Sequence, residues 1–357
     1  MYAAGSVRTV TTAGTGFPGP PPIHGIAWPV IGVTDLERSL DFYCGVLGCR
    51  AAVDQPGDEN ERSRSADHRS GGADDRSHGA DHRSQGADHR SGGAGDVRRR
   101  SSHPERVLLE AGGRALMLEL VPNPEPHEWV NDDLQRGLRH VAFKVDDLEH
   151  WAGRVRAAGA TFTMEPRDAF GGVRIAFFLD PDGAHLELVQ GCVGYTRVVS
   201  PDLVARERTL PAPSTPRLDH VALSVADLST TLLFYRRGAG AEIIGELAAG
   251  DDPRGFRITY LQAGPAVLEI FSFDLPLRPN PWHPGWPTAG LLRVALAFDD
   301  AERAAAALLD AGGSRPAAEG PEACPGPGRL RDPDVVLDPD GTPLELAGVG
   351  AGRSHTL

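Results

Sequence analysis

Four times along the chain an alternation of apolar and polar residues leads into a helical stripe. In the clearest case Val141, Phe143 and Val145 share one parity and His140, Ala142 and Lys144 the other, which is the period of a strand. Asp146 or Asp147 then supplies a helix N-cap. Leu148, Trp151, Val155 and Ala158 recur at helical spacing, and Gly159 stops the helix. The same order returns from Trp28, with Asp35 as cap, Leu36, Leu40, Tyr43 and Leu47 as stripe, and Gly48 as stop. It returns again from Leu218, with Asp227 as cap and Leu228, Leu232 and Tyr235 in register. The fourth copy starts at Leu292 and runs through Asp299-Asp300 into an Ala-rich helix that stops at Gly312-Gly313.

Each unit ends in a strand that places a Glu opposite in parity to its leucines or isoleucine. These are Glu119 between Leu118 and Leu120, Glu187 between Leu186 and Leu188, Glu269 between Leu268 and Ile270, and Glu345 between Leu344 and Leu346. Asp180-Pro181-Asp182-Gly183 and Asp338-Pro339-Asp340-Gly341 are tight-turn sequences leading into the second and fourth of these strands. His140 precedes Glu187 by 47 residues, His220 precedes Glu269 by 49, and Arg293 precedes Glu345 by 52. Trp28 precedes Glu119 by 91, and removing the low-complexity block between them restores the common spacing.

That block repeats Ala66-Asp67-His68-Arg69-Ser70-Gly71-Gly72 with variants from Ala73, Ala80 and Ala87. With almost no aliphatic content it cannot offset its ordering entropy, so it reads as a disordered insertion over about 56–103. Its histidines, His68, His78, His82 and His89 among them, read as solvated in preference to metal-binding. Pro122-Asn123-Pro124 with His127 and Trp129 precedes the second unit, and Pro279-Asn280-Pro281 with His283 and Trp286 precedes the fourth. The pattern is a duplicated pair. The expected organisation is a disordered tail over 1–22, a first domain over 23–195 (modules 23–121 and 138–190) and a linker over 196–216. A second domain follows over 217–348 (modules 217–273 and 290–348), then a tail over 349–357.

At 357 residues, 40% hydrophobic and 24% charged, the chain has the composition of a globular protein with at least one sizeable core. A formal charge of −13 argues against a nucleic-acid partner and for a small molecule. The sequence shows no membrane-spanning run and no signal peptide, so the expected location is cytoplasmic and the expected state a monomer or homodimer. Cys44, Cys49, Cys192 and Cys324 have no C-x-x-C spacing, which suits reduced thiols.

The strand-Asp-Leu-helix with Phe42-Tyr43 or Phe234-Tyr235, and the closing Asp-Pro-Asp-Gly-x-x-x-Glu, resemble the vicinal oxygen chelate superfamily. That superfamily takes in glyoxalase I, bleomycin-resistance proteins, fosfomycin-resistance enzymes, methylmalonyl-CoA epimerase and extradiol dioxygenases. The resemblance implies an α+β fold of four βαβββ modules paired into two cup-shaped domains, with metal ligands from the first and last strands of each module. Carried over position by position, the N-terminal pair offers Trp28, Glu119, His140 and Glu187, and the C-terminal pair His220, Glu269, Arg293 and Glu345. Trp28 and Arg293 stand where the family has a ligand, so each expected cup keeps one His and two Glu. Such a set suits a divalent Fe, Mn, Zn, Co or Ni ion.

His140, Glu187, Glu119, His220, Glu269 and Glu345 are therefore the candidate ligands, with Glu119 or Glu187 as proton-moving base. Trp28, His185, Arg293, Trp129, His283 and Trp286 are candidate substrate contacts, although Arg293 could instead pair with Glu269 or Glu345 and abolish its site. His24, four residues before Trp28, reads as an exposed turn histidine. With one His per expected cup, isomerase or lyase chemistry on a small oxygen-rich molecule is favoured over ring-cleaving oxygenation, and secondary metabolism is one setting for it. The competing expectation is a metal-free protein that sequesters a small molecule, as bleomycin-resistance proteins do. A purely structural role would show as cups filled by their own side chains.

Overall fold

The computed structural model describes residues 23–52, 105–124, 132–264, 266–282, 288–316 and 335–348. The repeat block, both tails, Trp129, His283 and Trp286 lie outside the described residues. The first module holds β1 (Ile23–Val33), α1 (Leu36–Leu40), β2 (Arg50–Ala51), β3 (Arg106–Glu110) and β4 (Ala115–Leu120). The second holds β5 (Gly137–Val145), α2 (Leu148–Ala157), β6 (Phe162–Asp168), β7 (Arg174–Leu179) and β8 (His185–Gln190). Between the second and third modules lie β9 (Arg197–Val198) and α3 (Pro201–Thr209). The third holds β10 (Arg217–Ser224), α4 (Leu228–Ala239), β11 (Glu242–Ala248), β12 (Arg257–Ala263) and β13 (Ala266–Ser272). In the fourth, β14 (Gly290–Phe298), α5 (Ala301–Asp310), β15 (Val335–Leu337) and β16 (Pro343–Gly348) are described.

All four module helices start the same way. Asp35, Asp147, Asp227 and Asp300 each accept a hydrogen bond from the backbone N–H three residues on, at 2.9–3.1 Å. Satisfying an orphan donor in this manner stabilises a helix start by about 1 kcal/mol. Within every module the first strand runs parallel to the last, β1 with β4, β5 with β8, β10 with β13 and β14 with β16.

The grouping of modules into cups departs from the expected one. β1 pairs antiparallel with β14, and β5 with β10, giving a seven-stranded sheet from the first and fourth modules and a nine-stranded sheet from the second and third. Consecutive modules instead share their helix-side faces. Phe42, Tyr43 and Leu47 of the first module pack into one core with Leu148, Trp151, Val155 and Phe178 of the second. Phe234 and Tyr235 of the third form another with Phe298, Leu308 and Val336 of the fourth.

The Asp-Pro-Asp-Gly turns explain this choice of neighbour. Asp180 accepts from the backbone N–H groups of Asp182 and Ala184 and from the Tyr43 hydroxyl at 2.8 Å, while Asp182 accepts from the Thr34 hydroxyl at 2.6 Å and from Arg38 and Ser39. The fourth module repeats the clamp on the third: Tyr235 donates to Asp338 at 3.1 Å, and Ala226 N–H and Thr231 donate to Asp340. Each turn thus fastens to the start of the preceding module's helix.

The linker is also more structured than its Pro and Arg content suggests. Pro201 sits in the first turn of α3, where its missing N–H costs nothing. Val193, Tyr195, Leu203 and Val204 pack with Ala142, Val189, Ala222, Ile244, Leu247, Ile258 and Tyr260, filling one side of the nine-stranded sheet's concave face. β9 extends β11, and a Cβ at Gly245 would come within 2.8 Å of the Arg197 carbonyl and the Tyr195 ring, so only glycine admits the linker there.

Candidate metal centre

The bulged register of β5 against β10 sets His140 opposite Ala222 and His220 opposite Ala142, so the two imidazoles point into one space from neighbouring strands. β8 brings Glu187 beside Ala142, and β13 brings Glu269 beside Ala222. Small alanines between the polar residues leave room for the side chains to converge. His140, Glu187, His220 and Glu269 each offer an atom within 4.8 Å of the others, and all four are 3–6% exposed.

The separations are informative. His140 Nε2 lies 3.2 Å from Glu187 Oε2 and 3.4 Å from Glu269 Oε2, and His220 Nε2 lies 3.0 and 3.2 Å from the same oxygens. The two Nε2 atoms are 3.3 Å apart. Nitrogen and oxygen donors bound about 2.0–2.2 Å from one divalent ion stand about 3.0–3.4 Å from each other. Buried Glu187 Oε2 meets the two imidazole Nε2 atoms as ion pairs and has no other hydrogen-bond donor among the described residues, a position that a cation shared with both imidazoles would satisfy. The donor set fits a divalent metal ion.

The electrostatics point the same way. Burial would push both imidazoles down, but the facing carboxylates outweigh it and raise His140, and His220 well above the ordinary value. Burial would likewise raise Glu187 and Glu269, and the imidazoles hold both below the usual carboxylate range. Glu187 and Glu269 thus stay ionised in a buried site, where either protonated imidazoles or a bound cation can balance their charge. Phe177 meets the His140 ring edge-on at 4.9 Å and Phe271 lies 5.9 Å from it, which gives the centre apolar walls. His185 stacks on Phe177, lies 6.1 Å from His140 ring to ring and hydrogen-bonds Thr163 at 2.8 Å. Burial, followed by the charges of His140 and Arg139, pushes His185 down to about 3, so it is a neutral imidazole at neutral pH.

Glu119, Glu345, Trp28 and Arg293 do not join this cluster. They meet in the other cup, and the cup sets drawn from the order of the modules are corrected accordingly. Arg293, 5% exposed, donates from Nε to Glu345 Oε2 at 2.7 Å and from Nη1 and Nη2 to Glu119. Arg106 of β3 adds contacts to Glu119 at 2.7 Å and Glu345 at 3.1 Å. Of the two pairings expected for Arg293, the one with Glu345 is present; Glu269 lies in the first cup. Both carboxylates here are held by guanidinium groups, which removes Glu119 as a free base. Trp28 turns into the same cup with its indole Nε1 buried and unpartnered. His24 is half-exposed and binds Asp299 at 2.7 Å.

Sequence reasoning missed Asp219, Lys144 and Phe177 around the centre. The signals were present: Asp219 adjoins His220, Lys144 is the chain's only lysine, and Phe177 faces Glu187 across the strand pair.

A model of the Glyoxalase/Bleomycin resistance protein/Dioxygenase superfamily matches residues 25–188 and 217–346. Lactoylglutathione lyase of Schizosaccharomyces pombe is 26% identical over 249 residues, 67% of this chain and 66% of that protein. The probable chloroplastic lactoylglutathione lyase of Arabidopsis thaliana is 28% identical over 216 residues, 58% of this chain and 52% of that protein. The chain thus spans between half and two thirds of these curated relatives. In fold it is similar to glyoxalase I from Zea mays, with a TM-score of 0.54 and 20% identity over 91% of this chain and 92% of the other. A putative dioxygenase from Bacillus subtilis gives 0.52 and 15% over 92% and 86%. With the family model matched over most of its length, the chain belongs to the Glyoxalase/Bleomycin resistance protein/Dioxygenase superfamily.

Proposed function

We propose that the protein is a metal-dependent enzyme working in the cup of the second and third modules, with lyase- or isomerase-type chemistry on a small oxygen-rich molecule. The observation that carries this reading is the convergence of two imidazoles and two carboxylates, all buried, with one atom of each within 4.8 Å of the others. The lactoylglutathione lyases among its relatives support the reaction class. A bound Zn, Mn, Fe, Co or Ni ion would act as Lewis acid on a substrate oxygen.

His140, His220 and Glu269 are the residues that would hold such an ion. Glu187, whose Oε2 meets only the two imidazoles among the described residues, is the carboxylate that would take a proton from one substrate atom and return it to another. Phe177 and Phe271 exclude water from the proton's path. His185, fixed by Thr163 and Phe177, is a neutral substrate contact beside His140. Two histidines in one cup remove the expected objection to a 2-His-1-carboxylate centre. The second carboxylate is what favours proton transfer over oxygen chemistry.

Metal analysis of the purified protein is expected to find one equivalent of transition metal, lost in His140→Ala and in His220→Ala. Lactoylglutathione turnover, followed by its thioester absorbance, should fall with it. A purified protein without stoichiometric metal, whose two variants bind and turn over substrate normally, sinks this reading. The metal-free expectation retains a place only in the other cup, where Arg293 already supplies the positive charge.

A further inference from the structure

Lys144 is the only lysine in the chain, and it is buried on the face of β5 that carries His140 and Ala142. Its Nζ donates to the Gly191 carbonyl at 2.7 Å, where the chain leaves β8 for the linker. The same Nζ lies 3.6 Å from Asp219 Oδ2, and that oxygen lies 3.2 Å from His220 Nδ1. Glu207 of α3, bound by the Tyr195 hydroxyl at 3.2 Å, feels the Lys144 charge from the linker's side. A polar chain therefore runs from Gly191, at the end of β8 where the linker begins, through Lys144 and Asp219 to His220.

The chemistry of a ligating imidazole gives this chain a purpose. A histidine that binds a cation through one nitrogen presents N–H at the other, and a carboxylate there fixes the tautomer, the ring orientation and the basicity of the ligand. Asp219 occupies that position for His220 and turns Nε2 toward Glu187 and Glu269. Asp219 Oδ2 faces two donors at that point, His220 Nδ1 at 3.2 Å and Lys144 Nζ at 3.6 Å, so it serves as their acceptor. A compact ammonium fits between a carbonyl and a carboxylate where a planar guanidinium with five N–H donors would need more acceptors, a reason for lysine here in a chain that otherwise uses arginine.

We propose that Asp219 and Lys144 are positioning residues that orient His220 for the metal and couple the linker to the ligand set. This rests on the function proposed above. The test uses the full chain, stripped of metal and titrated with Zn²⁺ against a chromophoric chelator, with the visible spectrum of the Co²⁺ form as a second readout. Asp219→Asn should weaken Zn²⁺ binding by about 10–100-fold and alter the Co²⁺ spectrum, and Lys144→Met should act in the same direction by a smaller factor. A merely structural tie would lower the melting temperature of the metal-free protein and leave the Zn²⁺ affinity unchanged. Folded variants that bind Zn²⁺ within about twofold of wild type overturn the relay alone. If Asp219→Asn does not fold, Lys144→Met decides. A wild-type protein that binds neither ion overturns the proposed function and the relay with it.

Discussion

The two cups share a strand plan and differ in where their positive charge comes from. Each is built on two antiparallel first strands flanked by two parallel last strands, and each buries a pair of glutamates at its centre. Around Glu187 and Glu269 stand His140 and His220, titratable groups that the carboxylates draw toward protonation and that meet Glu187 Oε2 at 3.2 and 3.0 Å. Around Glu119 and Glu345 stand Arg293 and Arg106, and the unpartnered buried atoms there are donors, Trp28 Nε1 and Arg106 Nε among them. One cup meets its carboxylates with imidazoles, which can exchange a proton for a metal ion, and the other with permanently charged guanidinium groups. Two first-strand positions, His140 and His220 in one cup and Trp28 and Arg293 in the other, separate a centre whose donors could hold a metal ion from one that carries its own positive charge.

The harshest way to break this symmetry is to remove the built-in cation. Arg293→Met leaves two buried carboxylates with only the part-exposed Arg106, and it should cost about 3–5 kcal/mol of stability in denaturant unfolding while leaving metal content unchanged. A loss below about 1 kcal/mol would mean that water reaches the second cup and solvates both glutamates.

His220→Ala is the matching experiment in the first cup. Structural zinc sites contribute roughly 10–16 kcal/mol over four ligands, so losing one should weaken Zn²⁺ binding by roughly 100-fold or more in chelator competition. Unchanged affinity would show that the ion binds elsewhere.

Replacing the whole second quartet with apolar residues (Arg106→Met, Glu119→Leu, Arg293→Met and Glu345→Leu together) should return stability to within about 2 kcal/mol of wild type, because the desolvation cost vanishes with the charges. If the quadruple variant is as unstable as Arg293→Met alone, the quartet does more than neutralise itself.

Much of this organisation can be read from the chain, and the limits have physical causes. Alternation fixes which face of a strand a residue occupies, so His140, Glu187, His220 and Glu269 could each be placed on a face, and the family resemblance made them candidate ligands. Alternation says nothing about which strand lies alongside, so the expected cups joined neighbours in sequence while β5 pairs with β10 and β1 with β14. The deciding contacts, such as Tyr43 with Asp180 and Tyr235 with Asp338, join groups more than a hundred residues apart. A hint was nonetheless present. Modules two and three are the two that keep both a first-strand His and a last-strand Glu, and modules one and four are the two that have lost the first. The linker's helix escaped notice because its apolar residues, Leu203 and Val204, are too few to set a period.

The finest test converts one cup into the other. If Trp28 and Arg293 are the only differences that matter, Trp28→His with Arg293→His should give the second cup two imidazoles beside Glu119 and Glu345, and metal analysis should rise from one equivalent to two. The new site should bind Zn²⁺ more weakly than the native one by at least about tenfold, since the residue before Arg293 is Leu292 where the residue before His220 is Asp219, and an unsupported imidazole is a poorer ligand. Arg106 would still compete for both carboxylates, so adding Arg106→Leu should narrow the gap. A folded double variant with no second ion, even without Arg106, would show that the ligand positions of the two cups are not equivalent in space despite their common strand plan, and that the first cup's metal site depends on the linker packed across its face.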